Sequence, residues 1–195
     1  MGNILTNPIF WIIAVVVLLI LWVIGTANKI TRRKITAEKA FADVDAFLTQ
    51  RSDVVLNLVE TVKGYAKHEK GTLTEVVEAR NKAVNASSQA EKMEADNQLT
   101  GALSRFFALA EDYPELKANE NFLQLQDKIT ALNEDLTAAR RYFNAAAGEY
   151  NVLIRSIPSN IVASIFGHKE MELYKATEEE RKNPKVDFSD LESSK

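Results

Sequence analysis

Cysteine is absent from this chain of 195 residues, which excludes disulfide frameworks, thiolate zinc sites and thiol nucleophiles. Its absence agrees with a reducing cytoplasmic setting. Glycine (7) and proline (4) are scarce while Ala, Glu, Lys and Leu are plentiful, a balance that favours helix almost everywhere. Histidine occurs only as His68 and His168. His68-Glu69 invites a zinc reading, but an HExxH site needs a second histidine where Thr72 stands. The Glu-x-x-His pairs of di-metal bundles are missing too, because Tyr65 and Ile165 precede the two histidines by three residues. There is no Gly-rich phosphate loop and no G-x-S-x-G elbow, and Ser and His do not cluster. The sequence therefore predicts no catalytic set, no metal site and no cofactor, and a protein that is not an enzyme. Its net charge is −3, with Lys and Arg interleaved among acids, which speaks against a nucleic-acid partner.

Charge is missing altogether from Gly2 to Asn28, and residues 8–24 read PIFWIIAVVVLLILWVI. About 20 apolar helical residues cross a bilayer core of ~30 Å. A membrane span is expected here, carried by Ile9, Trp11, Leu18, Trp22 and Ile24, with the two Trp near its ends at headgroup level. A cleaved signal peptide is the alternative, with Gly25-Thr26-Ala27 as the small-residue site, but it lacks a basic n-region and its core is too long. Lys29, Arg32, Arg33 and Lys34 follow at once. Basic residues beside a first span stay cytoplasmic, so the short N-terminus is expected outside and the rest inside. The same four cations offer a surface for anionic lipid, or serve only as a topology signal.

Beyond the span, two seams alternate spacings of three and four. One runs Ala37, Phe41, Val44, Leu48, Arg51, Val55, Leu58, Val62, Tyr65; the other runs Phe122, Leu125, Ile129, Leu132, Leu136, Ala139, Phe143, Ala146, Tyr150, Leu153, Ile157. Both are helical coiled-coil patterns, the first reaching about Lys67 and the second stopped by Pro158. Residues 70–112 supply a helix between them, with Thr72 as N-cap and Glu75 as its capping-box partner. Its middle, Asn85 to Asn97, is polar and out of phase, and reads as a register shift, a kink or a loop at a bundle tip. Short connections make neighbours antiparallel. Ser159 to Phe166 reads as a short apolar helix ended by Gly167, and the tail from Thr177 is charged and expected to be loosely ordered. The expected fold is all-α: a transmembrane helix in 1–28, an up-down antiparallel bundle of three long helices plus a short C-terminal helix in 29–176, and a charged tail in 177–195.

Phe41-Ala-Asp-Val-Asp-Ala-Phe-Leu-Thr-Gln-Arg51 followed by Asn57-Leu-Val-Glu-Thr-Val-Lys-Gly-Tyr-Ala-Lys-His-Glu69 resembles the hallmark segment of the bacterial LemA family. Ala110-Glu-Asp-Tyr-Pro-Glu-Leu-Lys-Ala-Asn119 with Phe122, Ala139-Arg-Arg-Tyr-Phe-Asn-Ala-Ala-Ala-Gly-Glu-Tyr-Asn151, Pro158, Phe166-Gly167 and Pro184-Lys-Val-Asp-Phe188 extend the resemblance over nearly everything beyond the span. The chain departs from the family pattern at Phe41 (Trp), Leu56 (Pro) and Phe143-Asn144 (Tyr-Asn); the missing Pro suggests a less kinked first helix. The resemblance implies a single span at a bacterial plasma membrane and a cytoplasmic helical bundle. It supplies no activity. Relatives often occur beside membrane metalloproteases, which makes such a protease a candidate partner by association.

Arg51 falls on an apolar seam. It either snorkels to the edge or pairs with a carboxylate of a neighbouring helix, and Arg140 and Arg141 beside Ala139 could serve in the same way. Tyr65 and Tyr150 lie on seams as core aromatics. Ile161, Ile165 and Phe166 pack back on the bundle or form a docking surface. The expected function is a membrane-anchored scaffold that forms homo-oligomers. The alternatives are an adaptor of a membrane protease and an anionic-lipid sensor.

Overall fold

The computed structural model describes residues 8–65 and 69–175, which form helices and no strand. Helix α1 spans Pro8–Val62 as 55 residues without a break, about 80 Å at the helical rise. Gly25, Asn28 and Thr31 lie inside it: each keeps its backbone N–H, and an isolated glycine costs only ~1 kcal/mol relative to alanine. The helix also passes through Leu56 without a break. It ends at Val62, short of the expected Lys67, in a turn closed by the Tyr65 N–H on the Val62 carbonyl at 2.9 Å. Gly64 favours that early stop. His68 lies outside the described residues, as does the tail from Thr177.

Residues 70–112 do not form one rod. They fold as a hairpin of α2 (Lys70–Asn85) and α3 (Gln89–Ala110), so the polar middle is a reversal of the chain. The expected cap at Thr72 does not form. Helix α2 begins at Lys70 with Glu69 at the N-cap position, and Glu75 reaches across to Arg105 of α3. The capping box forms instead at Ser88 and Glu91, the second Ser/Thr-x-x-Glu of this region. The Glu91 N–H donates to Ser88 Oγ at 3.2 Å, and Glu91 Oε2 accepts from the Ser88 and Ser87 N–H groups at 3.1 and 2.8 Å.

These backbone donors, Ser88 first, hold the Glu91 carboxyl down from 4.5 to about 2. The folded value lies below the unfolded one, so the cap contributes fully above about pH 4.5 and is lost as pH falls through about 2. Amide resonances of Ser87 and Ser88 are expected to titrate near that lower value. A midpoint at the ordinary carboxylate position would show that the cap does not form.

A one-turn helix α4 (Pro114–Lys117) leads into α5 (Glu120–Arg155), capped by Asn119 Oδ1 accepting from the Phe122 N–H at 3.0 Å. Helix α5 returns antiparallel along α1, with Phe143 against Phe41 and Glu149 bonded to Arg33. In the half farthest from the apolar run, α1, α2, α3 and α5 share a core built on Val55, Leu58, Leu103, Phe106 and Phe122. Nearer the run the core is carried mainly by α1 and α5, around Val44, Leu136 and Phe143, with Met93 of α3 among them and Met171 and Tyr174 packed against it. The seam residues line the cores as far as Leu153, except Tyr65, which lies past the end of α1 and is exposed rather than a core aromatic; Ile157, past the end of α5, is exposed too.

Helix α6 (Ser159–Ile165) closes the base against Ile30 of α1, with Val23 and Ala27 packed alongside. Gly167 then takes φ +69°, a left-handed turn open to glycine, and residues 168–175 run back along α5 as a strap. Two asparagines hold it. Asn151 bonds both the N–H (2.9 Å) and the carbonyl (2.8 Å) of Met171. Asn144 bonds both the N–H and the carbonyl of Tyr174 at 2.9 Å. Seven helical residues rise about 10 Å, and three extended residues cover about the same distance. That match lets two turns of α5 read out the strap backbone. Replacing Asn144 and Asn151 together by Leu removes four hydrogen bonds. A local loss of about 2 kcal/mol is expected, with trypsin cleavage after Lys169 accelerated roughly 30-fold. Unchanged cleavage would mean the strap is held by Tyr174 alone.

Candidate functional site

The most distinctive polar feature is a buried charge cluster between α1, α3 and α5. Arg51 (1 % exposed) and Asp96 (0 %) form an ion pair, and Arg140 takes the second oxygen of the same carboxylate. Arg51 also donates to Asn133 Oδ1 at 3.1 Å, Thr100 Oγ1 at 3.2 Å and the Asp96 carbonyl at 3.3 Å. The Arg140 guanidinium lies 5.1 Å from the ring centroid of Tyr174 on the strap, a cation–π contact. Burial lowers the Arg51 pKa while Asp96 opposes it. Burial raises the Tyr174 phenol, with Asp96 adding to the shift. Arg141 faces solvent and forms no ion pair among the described residues.

Sequence reasoning placed Arg51 on its seam and missed Asp96, which lay in the out-of-phase middle. A signal was present. Counting back from Ala110 through Phe106, Leu103 and Leu99 by fours and threes lands on Asp96. One acid and one base therefore occupied equivalent seam positions on two helices. The cluster joins three helices and the strap, and its guanidinium N–H groups donate to acceptors inside it, Asp96 above all. A cleft of about 280 Å³ beside the α2–α3 turn is likewise self-neutralised, by Lys92 on Asp45 at 2.5 Å and Arg80 on Asp53 at 4.0 Å. Among the described residues no group of His, Asp and Glu is arranged to hold a metal. His168 sits 3.3 Å from the Tyr150 hydroxyl, which also donates to the Lys169 carbonyl at 3.0 Å.

The second feature is the base. Ile9, Trp11, Leu18, Trp22 and Ile24 are all exposed on α1, the one helix among the described residues long and apolar enough to cross a membrane. Of the basic cluster, Arg33 binds Glu149 and Lys34 lies 3.6 Å from Glu38, while Lys29 and Arg32 are exposed without an ion pair among the described residues. Ile161, Ile165 and Phe166 point outward, whereas Val162 and Ala163 pack inward on α1 and α5.

Fold and site together define a class: a helical bundle carried on a continuous apolar helix that can serve as a membrane anchor. The chain belongs to the LemA family, which it matches over residues 40–188. It is 27% identical over 172 residues to Protein LemA of Metamycoplasma hominis, covering 86% of this chain and 76% of that protein. It is also 30% identical over 80 residues to the magnetosome protein MamQ of Magnetospirillum gryphiswaldense. That match covers 41% of this chain and 29% of the relative, and MamQ 2 of Paramagnetospirillum magneticum gives the same figures.

Proposed function

We propose that this protein is a non-enzymatic, membrane-anchored scaffold whose bundle stands at the cytoplasmic face and assembles with copies of itself. The observation that carries the reading is the unbroken α1. One helix serves as both anchor and first bundle element, so the bundle is held to the bilayer with no flexible joint. Lys29 to Lys34 favour the cytoplasmic side for the bundle. Anchoring confines copies to a plane and raises their effective concentration. A shallow groove between α1 and α5, lined by Ala46, Phe47, Ala139 and Tyr142, is the face that suits contact between copies.

The test is the mass of the intact chain in native nanodiscs, with an impermeant maleimide applied to a Leu56→Cys variant in whole cells. A defined homo-oligomer and a label excluded until the cells are opened support the scaffold. A monomer carrying a membrane protease would move the assignment to an adaptor, and a bare monomer would end the assembly claim.

A further inference from the structure

The base of the bundle exposes a second apolar surface beside the apolar run of α1. Residues 156–167, SIPSNIVASIFG, carry no charge and are bounded by Arg155 on one side and His168-Lys169 on the other. Within this stretch Ile161 (57 % exposed) and Ile165 (71 %) lie four residues apart on one face of α6, with Phe166 (58 %) at its end and Ile157 (85 %) on the turn before it. So many large apolar side chains do not face water together without a purpose.

Their position identifies what covers them. The inner face of α6 packs on Val23, Ala27 and Ile30 of α1, the final turns of the charge-free run and the turn just beyond it. If residues 8–24 cross the hydrocarbon, α6 is held at the membrane boundary on the bundle side, within about 10 Å of it by helical rise. Interfacial apolar faces bury ~5–10 Å into this zone. Ile20 and Ile24 of α1 are exposed as well. Lys29, Arg32 and Lys169 supply exposed cations at the same level, without ion pairs among the described residues. They suit the phosphates of lipid headgroups.

We infer that the 157–166 segment inserts its isoleucine and phenylalanine face into the headgroup–acyl boundary, giving the bundle a second attachment beside the α1 span. The inference rests on the membrane-anchor reading of α1. Two attachments fix rotation and tilt, which one helix alone leaves free.

The absence of cysteine makes the test direct. Single-cysteine variants Ile165→Cys, Leu18→Cys and Val84→Cys of the full chain are spin-labelled in nanodiscs of phosphatidylcholine and phosphatidylglycerol. Collision with oxygen against a water-soluble nickel complex then reports depth. Leu18→Cys is expected deep and Val84→Cys in water. Ile165→Cys is expected at the boundary, with nickel accessibility several-fold below that at Val84→Cys. A water-like Ile165→Cys beside a deep Leu18→Cys would overturn the inference and leave the anchor standing. A water-like Leu18→Cys would overturn the anchor itself and the inference with it. Spin–spin broadening at Ile165→Cys that vanishes on dilution with unlabelled chain would assign the face to a second copy and overturn the lipid assignment. Helical circular dichroism of each variant verifies folding, and a pair of charges at the same face, Ile161→Glu with Ile165→Glu, should return any remaining nitroxide at Phe166→Cys to water.

Discussion

Asp96→Ala is expected to destabilise the bundle by about 3–5 kcal/mol, because it strands two guanidiniums in a site with almost no access to water. For a bundle of this size that corresponds to a fall of roughly 10–15 °C in Tm, read from helical circular dichroism of the intact chain in detergent. Removing the carboxylate does more harm than removing the whole cluster. The triple variant Arg51→Met, Asp96→Leu, Arg140→Met takes every charge away and leaves apolar groups of similar volume. Buried ion clusters replaced in this way are neutral or gain stability. The triple variant is therefore expected near or above the parent in Tm, well above Asp96→Ala. If both fall equally, the cluster stabilises through packing and the electrostatic account fails. Asp96→Asn belongs between them, since an amide still accepts a hydrogen bond but neutralises neither arginine.

Phe143→Ala is expected to cost a similar amount, about 3–5 kcal/mol, by a different mechanism. Phe143 is fully buried where α1, α5 and the strap form most of the core, with Met93 of α3. Its ring meets Phe41 edge-on at 5.3 Å and Tyr174 edge-on at 6.1 Å. Truncation loses the transfer energy, both ring contacts and the support beneath Tyr174. Tyr142→Ala, one residue earlier on the exposed side of α5, should change stability by no more than ~0.5 kcal/mol. Denaturant midpoints at constant slope separate the two; equal losses would refute the assigned facing of α5.

The helices were legible because period and capping are local. The three-four spacing from Phe122 to Leu153 marks the buried stripe of α5, and Gly167 marks the stop beyond α6. The α2–α3 reversal was legible only as one of three readings of the polar middle, although Ser88-x-x-Glu91 announced a helix start as clearly as Thr72-x-x-Glu75 did. Two equivalent local signals cannot rank themselves. Which one caps a helix depends on where the chain must turn so that Leu99, Leu103 and Phe106 reach the face of α1. The continuity of α1 was likewise open, because Gly25, Asn28 and Thr31 each permit a break and none demands it.

By itself the sequence determined that this is a helical chain with one membrane-length apolar run, no cysteine chemistry and a base on an apolar seam. Those properties reside in composition and period. Tertiary structure alone decided that Arg51 meets Asp96 and Arg140, that two asparagines seven residues apart grip a strap, and that α6 lies level with the end of the apolar run. Each joins residues distant along the chain, and their meeting depends on how the helices pack, which no single segment encodes.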